Sequence, residues 1–436
     1  MKLYNSVLCA VPSLRRAFSI GLGATALLAS ILSIAAHGPD HSDGNVRYFE
    51  PIATYHVSGT VAEIVTTTPD GKWLFYTDSE SQLVGVVDIR NPGSPTNAAT
   101  LPVGGEPTSV AITPNGRWAL AVIHAETNHL AIFDVRNLSA PPVIKALGGQ
   151  PDSIAVSPDG RYAAIAIENE RNEDVNDGAM PQLPRGFLTI IELDGKPEKW
   201  RLRNVSLSRL SERFPHDPEP EFVSINERNE CAVTLQENNH VVIVDLPSGR
   251  VVRHFSAGTV THAADLQADG VISFTDLLID SRREPDAIHW TPEGNLITAN
   301  EGDYTLDADF VGGRGFTMFS TRGEVLFDSG ADLEIELAEA GLYDDARSAG
   351  KGSEPEGIEV AEFDKRTFLF VGMERAKPGA VAVYRLDGER ERPKFIQILQ
   401  TGSRPEGLLA IPQRDLFVTA NEGDGTISIF AARRGR

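Results

Sequence analysis

Two short acidic motifs recur along this chain, and they are the first candidates for chemistry. One begins an apolar run, as in Glu354-Pro355-Glu356-Gly357, and the other follows a second apolar run, as in Asn300-Glu301-Gly302-Asp303. Carboxylate and amide oxygens are the ligands that hard cations such as Ca²⁺ prefer. Carboxylates that lie close together repel one another unless a cation or an arginine lies among them. The motifs therefore predict either a cation site or a network of internal salt bridges.

The candidate residues fall into sets according to their motif. The first motif contributes carboxylates along most of the chain: Glu106, Asp152, Glu219, Glu221, Asp286, Glu354, Glu356 and Glu406. The second motif and its neighbours give a predicted ligand-binding set: Asn300, Glu301, Asp303, Arg314, Glu374, Arg375, Asn421 and Glu422. We predict Ca²⁺ as the metal, held by Glu301, Glu356 and Glu406.

Two alternatives involve no ligand. In one, Arg314, Arg375 and Arg404 neutralise the carboxylates as internal salt bridges. In the other, the motifs are turns that fix the geometry of the repeat, with Glu capping backbone amides.

Both motifs lie in a repeat of strand, turn, strand and polar loop. Short apolar runs alternate with Pro-x-Gly turns, as at Pro114-Asn115-Gly116 and Pro158-Asp159-Gly160. The copies begin near Val61, Glu106, Gln150, Glu219, Pro285, Glu354 and Arg404, and a third strand follows in each. Seven copies with a fourth strand in the connections predict an all-β, seven-bladed β-propeller. A pair of β-sandwiches is the alternative fold.

The ring of a propeller has to close. The last copy ends at Phe430 without a fourth strand, and the segment from Ile52 to Val57 precedes the first copy. We therefore predict that this N-terminal strand completes the last blade, which removes the open edges. Loops that enter the first strand and leave the second share one face of a propeller. Both acidic motifs should then surround one mouth of the central channel.

The sequence outside the repeats predicts further segments. Residues 1–36 have Lys2, Arg15 and Arg16 before an apolar run without acidic residues, which indicates an export signal, with Arg15-Arg16 resembling a twin-arginine motif. An uncleaved membrane anchor is the alternative. We predict a flexible mature N-terminus at residues 37–50, the propeller at 51–432, and an inserted loop at 327–352 with a short helix.

The composition restricts the partners. The formal net charge of −21 argues against nucleic acid and anionic membranes, because both are bound through basic patches. Cys231 is the only cysteine outside the predicted export signal, so no internal disulfide is expected, and its strand context predicts a buried, inert thiol. We expect a monomer with no membrane span after signal cleavage.

Six motifs between residues 285 and 430 resemble the choice-of-anchor I family and occur in its order. They are Asp286 to Asp303, Gly313-Arg314-Gly315-Phe316, Val325 to Gly330, Glu354-Pro355-Glu356-Gly357, Phe370 to Arg375, and Arg404-Pro405-Glu406-Gly407-Leu408. Residues 60–250 are similar only to YVTN-type propeller repeats. The resemblance implies an exported propeller, in a group that includes proteins labelled mesenchyme-specific cell-surface glycoprotein or alkaline-phosphatase-like. The family often has a carboxy-terminal anchor, whereas this sequence ends at Arg436, so we expect a periplasmic or secreted protein.

These observations favour a binding protein over an enzyme. We expect a scaffold that binds a small molecule or an extracytoplasmic protein, with a cation in its acidic mouth. The alternative is a calcium-dependent hydrolase of phosphate esters or lactones, in which the cation activates water. The sequence has no Gly-x-Ser-x-Gly or His-Glu-x-x-His motif, and no carboxylate stands out as a catalytic base.

Overall fold

The computed structural model describes residues 47–172, 175, 179–302, 312–388 and 391–434. These residues form seven four-stranded antiparallel sheets and one two-stranded hairpin. The first strands of the seven sheets contact one another in cyclic order, so that the sheets are blades around a central channel. The predicted all-β, seven-bladed propeller is confirmed. The predicted export signal lies outside the described residues.

The first four blades follow one another along the chain. Strand β1 (Arg47–His56) precedes them and belongs to the last blade. Blade one consists of β2 (Val65–Thr67), β3 (Trp73–Asp78), β4 (Leu83–Asp88) and β5 (Thr96–Pro102), and blade two of β6 (Glu106–Ile112), β7 (Trp118–His124), β8 (His129–Asp134) and β9 (Val143–Ala146). Blade three consists of β10 (Pro151–Val156), β11 (Tyr162–Ile167), β12 (Phe187–Glu192) and β13 (Arg201–Ser206). Blade four consists of β14 (Pro220–Ile225), β15 (Glu230–Leu235), β16 (His240–Asp245) and β17 (Arg250–Ser256).

A hairpin separates blades four and five. It consists of β18 (Thr259–Ala264) and β19 (Asp276–Arg282). Blade five consists of β20 (Ile288–Trp290), β21 (Leu296–Asn300), β22 (Gly315–Phe319) and β23 (Val325–Asp328), and blade six of β24 (Pro355–Phe363), β25 (Arg366–Met373), β26 (Ala380–Leu386) and β27 (Lys394–Gln400). Blade seven consists of β28 (Pro405–Ile411), β29 (Leu416–Asn421) and β30 (Thr426–Arg434), and β1 is its fourth strand.

The middle strands of each blade are largely buried on both faces. Every residue of β11 is buried, whereas the outer strand β5 is exposed at most positions. Middle strands pack against a neighbouring blade on each side, which explains their continuous apolar runs. The Pro-x-Gly turns reverse the chain with glycines at positive φ, as at Gly116 (65°) and Gly160 (70°).

Strand β1 closes the ring as predicted, and it is longer than predicted. It pairs antiparallel with β30 from Arg47 opposite Arg434 to His56 opposite Thr426. Phe49 is 2% exposed, and its ring lies edge-on against Phe363, Phe368, Phe370 and Phe417 at centroid distances of 5.0 to 6.2 Å. Residues 47–50, predicted as flexible, are therefore ordered by this pairing.

The insertion between blades five and six contains the helix α1 (Asp332–Glu339) and a 3₁₀ turn (Asp345–Arg347). Further 3₁₀ turns lie at Pro197–Lys199, Pro412–Arg414 and Glu422–Asp424. The described part of the chain has no helix with the length and apolarity of a membrane span.

A buried arginine anchors this insertion to blade five. Arg314 has no exposed surface, and its guanidinium donates to the backbone carbonyls of Asp265 (2.9 Å), Ser348 (3.0 Å) and Gly350. These bonds fix the loop that follows α1, and Lys351 at the end of that loop reaches the channel mouth.

Candidate cation site at the channel mouth

One position near the start of the first strand of each blade, or up to two residues before it, faces the channel. It follows the motif proline, or Ala62 in blade one, and the residues are Glu63, Thr108, Asp152, Glu221, Asp286, Glu356 and Glu406. All of them except Glu63 line an axial cavity of about 180 Å³. We call the six acidic members, that is all but Thr108, the carboxylate ring.

In blades two, three, four, six and seven, a β-bulge after the proline determines where these side chains point. The pairing of first and second strands shifts between Pro151 and Ile154, between Pro220 and Val223, and similarly in blades two, six and seven. A bulge of this kind redirects a side chain away from the regular alternation of a strand.

The glycine of the Pro-Glu-Gly motif has a packing role. A Cβ atom on Gly357 would lie 2.5 Å from the backbone oxygen of Glu406, so glycine lets the first strands of blades six and seven approach. The motif therefore combines one residue that shapes the channel wall with one that faces the channel.

Burial and mutual repulsion raise the pKa values of the ring. Burial is the larger cause throughout: it raises the pKa of Glu63 to about 7 and that of Asp152 to about 8, and neighbouring carboxylates add to both shifts. The pKa values of the other four ring members lie well above the usual range for the same reasons. Without a cation, part of the ring is therefore protonated at neutral pH.

The ring has few internal partners. Glu63 accepts a hydrogen bond from the Ser79 hydroxyl. Asp286 is 8% exposed, and within the described residues its carboxylate makes neither a hydrogen bond nor an ion pair. One carboxylate oxygen of Glu221 is likewise buried without a hydrogen-bond partner. Buried charges in such positions are costly unless a ligand or a proton compensates them.

A second group of carboxylates, which we call the outer shell, lies in blades five to seven: Glu301, Glu354, Glu374 and Glu422. Lysine and arginine side chains neutralise it. Lys351 pairs with Glu301 and lies 3.6 Å from Glu354. Arg375 lies 2.9 Å from Glu374 and 3.3 Å from Glu354. Arg404 bridges Glu374 (2.6 Å) and Glu422 (2.9 Å). Arg375 and Arg404 of the salt-bridge alternative lie in this outer shell, together with Lys351.

Three groups of carboxylates are close enough to share a metal ion, with ligand atoms within 4.8 Å of one another. They are Glu168, Glu219 and Glu237; Glu301, Glu354 and Glu374; and Asp286, Glu301 and Glu356. Arg171 lies 3.0 Å from Glu237 in the first group, and Lys351 and Arg375 pair with the second. The third group has one cationic contact, from Lys351 to Glu301. Two of the predicted metal ligands, Glu301 and Glu356, thus meet Asp286, while Glu406 lies beside them on the ring.

The predicted asparagines lie outside the cavity. Asn300 is 1% exposed, accepts from the Thr298 hydroxyl and donates to Thr317 Oγ1 (2.8 Å each). Asn421 is buried in the same way and donates to the Thr426 and Ser428 hydroxyls at 3.0 and 3.1 Å. Arg314, directly before β22, holds the insertion through the carbonyls of Ser348 and Gly350, and Asp303 lies outside the described residues.

Sequence reasoning missed two residues of the mouth. Glu63 occupies the ring position of blade one, and counting back from the Pro69-Asp70-Gly71 turn would have revealed it. No sequence signal points to Lys351, because a non-repeated insertion brings it to the mouth.

The sequence profile of the choice-of-anchor I domain matches residues 63–310 and 307–389, more than half of the chain. The chain belongs to the choice-of-anchor I family. Domains of this kind are generally extracytoplasmic. A comparison with curated proteins gave no match.

Solved structures with a similar fold have low sequence identity. Hydrazine synthase of Kuenenia stuttgartiensis has 16% identity and a TM-score of 0.56, over 87% of this chain and 98% of that one. The Cps50 (Swd1) β-propeller domain of Myceliophteria thermophila has 9% identity and a TM-score of 0.57, over 88% and 99%. Virginiamycin B lyase of Staphylococcus aureus has 13% identity and a TM-score of 0.56, also over 88% and 99%. These similarities establish the propeller fold alone.

Proposed function

We propose that this propeller is an extracytoplasmic binding protein, periplasmic or secreted, that holds Ca²⁺ at the mouth of its channel. Asp286, Glu301 and Glu356 would be the protein ligands, with the rest of the carboxylate ring around them. The observation that carries the proposal is the buried carboxylate of Asp286, which lines the cavity without a partner among the described residues. A cation would compensate this charge and the repulsion from its neighbours.

The ligand set suits a hard cation. Ca²⁺ takes six to eight oxygen ligands in flexible geometry, so three carboxylates leave positions for water or for oxygens of a bound partner. The cation would therefore link the rigid channel wall to an oxygen-rich ligand, and the blades would act as the scaffold. No feature of the described residues selects one carboxylate as a general base, so the hydrolase alternative has no observation of its own.

The test is metal content and thermal unfolding of the purified mature protein. We expect about one tightly held Ca²⁺ per chain and a large fall in melting temperature after chelation, reversed by added Ca²⁺. Asp286→Asn should lose both the metal and the shift. Glu362→Gln is the matched control, because Glu362 lies on the same strand as Glu356 but is exposed. Absence of metal, with no effect of Ca²⁺ on unfolding, would contradict the proposal.

A further inference from the structure

The face opposite the carboxylate ring contains a cavity of different character. Its volume is about 500 Å³, and its lining residues come from the turns of blades two and three: Asn115, Arg117, Trp118, Arg136, Gly195, Lys196, Pro197 and Glu198. Because β6 runs from Glu106 at the mouth to Ile112 at the other end, the turn that follows it lies on the opposite face. Three cationic side chains and one carboxylate line this cavity, in a chain with a net charge of −21.

Blade one shows how such turns are normally neutralised. Lys72 pairs with Asp70 of its own turn at 3.0 Å. Arg90 folds back onto Asp88 at the end of the third strand, with Nε 2.8 Å from Oδ2. Each cation of this face therefore has its own carboxylate in blade one.

Blade two differs because its turn has Asn115 where blade one has Asp70. Arg117 has no carboxylate in its own turn and instead pairs with Asp134 at 2.8 Å. Asp134 is the counterpart of Asp88, so Arg136, the counterpart of Arg90, has no ion pair within the described residues. The uncompensated positive charge at this cavity follows from one neutral turn residue.

The remaining wall combines a second free cation with aromatic surface. Lys196 is exposed and forms no ion pair among the described residues. Arg117 lies over the Trp118 ring at 4.8 Å, and Trp118 meets Trp200 edge-on at 6.3 Å. These contacts hold Arg117 in place, so the cavity presents one guanidinium packed on an aromatic ring and two exposed cations.

We infer that this cavity binds a small oxyanion ligand, one that carries a carboxylate, phosphate or sulfate group, between Arg117, Arg136 and Lys196. Guanidinium groups form strong charge-assisted hydrogen bonds with such groups. The site is separate from the cation site and requires no metal.

The experiment uses the full mature chain at low, constant ionic strength. Inorganic phosphate, sulfate and D-glucuronate are titrated separately, with uncharged D-glucose as the reference, and binding is followed by calorimetry and tryptophan fluorescence. We expect saturable binding of at least one oxyanion, no binding of glucose, and a fluorescence change from Trp118. The preferred probe distinguishes a phosphate or sulfate ligand from a carboxylate ligand.

Three variants make the test specific. Asn115→Asp restores the turn carboxylate of blade one, so it should weaken binding about tenfold or more without removing a cation. Arg136→Gln combined with Lys196→Gln should abolish binding, and Arg90→Gln, on the same face but paired with Asp88, should leave it unchanged. The inference is overturned if no oxyanion binds saturably, or if Asn115→Asp and the double variant bind as tightly as the unmodified protein.

Discussion

A buried carboxylate is costly when it has no cation or hydrogen-bond donor, and this channel brings several together. The carboxylates of the ring project from, or from just before, first strands that pack against one another around the channel, so the fold holds their backbones close together. Burial and repulsion raise the pKa values of Glu63 and Asp152 to about 7 and 8, so protonation compensates part of the charge. A bound cation would compensate it at higher pH. Substitutions that neutralise a ring carboxylate should therefore change both the stability of the cation-free protein and its affinity for Ca²⁺.

Asp286→Asn should have opposite effects on affinity and on stability. Loss of one ligand should weaken Ca²⁺ binding about tenfold or more. Loss of one buried like charge should stabilise the cation-free protein at pH 8 by about 1–2 kcal/mol. Calorimetry and denaturant unfolding measure the two quantities, with Glu362→Gln as the control. A variant that is destabilised without cation would indicate a structural role for Asp286 instead.

The ring also predicts how stability depends on pH. Its folded-state pKa values are raised, so the folded protein binds more protons than the unfolded chain, and its stability falls as pH rises. For Glu63 and Asp152, the stability of the protonated ring is fully present below about pH 4, the usual carboxyl pKa, and is lost by about pH 8, where their raised pKa values lie. We expect a higher melting temperature at pH 5 than at pH 8 in chelator, and recovery at pH 8 with Ca²⁺. Asp152→Asn should flatten the profile, and a cation-free protein that is more stable at pH 8 would contradict this prediction.

At the scale of elements, the first strands and the insertion between blades five and six build the mouth. The strands and turns could be predicted because their signals are local: short apolar runs and Pro-x-Gly turns. The direction of the ring side chains could not, because at four of the six ring positions it depends on bulges that no residue type reveals. Asn300 has the residue type of a ligand, yet the Thr298 and Thr317 hydroxyls around it appear only when the strands pair. Lys351 reaches the mouth through tertiary contacts of Arg314.

Lys351→Met should distinguish the salt bridges of the outer shell from the cation site of the ring. The Lys351 side chain is 11% exposed, so removing its ion pairs to Glu301 and Glu354 should destabilise the cation-free protein by about 3–5 kcal/mol. The same change frees Glu301 and should tighten Ca²⁺ binding, the reverse of Asp286→Asn. Lys377→Met is the control, because Lys377 is 66% exposed and pairs with Asp344 at the edge of the insertion. Weaker Ca²⁺ binding in Lys351→Met would show that Lys351 supports the site and does not compete with the cation.

At the scale of the whole molecule, closure of the ring holds the first strands at their separation. Strand β1 joins the two ends of the described chain in one blade and pairs with the outer edge of β30. The closure could be predicted from the sequence, because the last repeat lacks an outer strand and the N-terminal segment contains an additional strand.

Phe49→Ala tests the closure. Phe49 is nearly fully buried among aromatic rings, so its truncation should cost about 3–5 kcal/mol in urea unfolding. Glu50→Ala is the neighbouring control, because its pair with Arg433 is about half exposed on both sides and should contribute about 0–1 kcal/mol. If Phe49→Ala lowers the free energy of unfolding as little as Glu50→Ala does, β1 contributes little to the stability of the ring.

The most direct measurement is calorimetric titration of the chelated mature protein with Ca²⁺ at pH 7.5, repeated in two buffers of different ionisation enthalpy. We predict stoichiometric binding whose heat depends on the buffer, because the cation displaces protons from carboxylates with raised pKa values. The dependence on buffer should be reduced in Asp286→Asn along with the affinity. Absence of binding heat in both buffers, or binding that Asp286→Asn leaves unchanged, would contradict a cation site at the carboxylate ring.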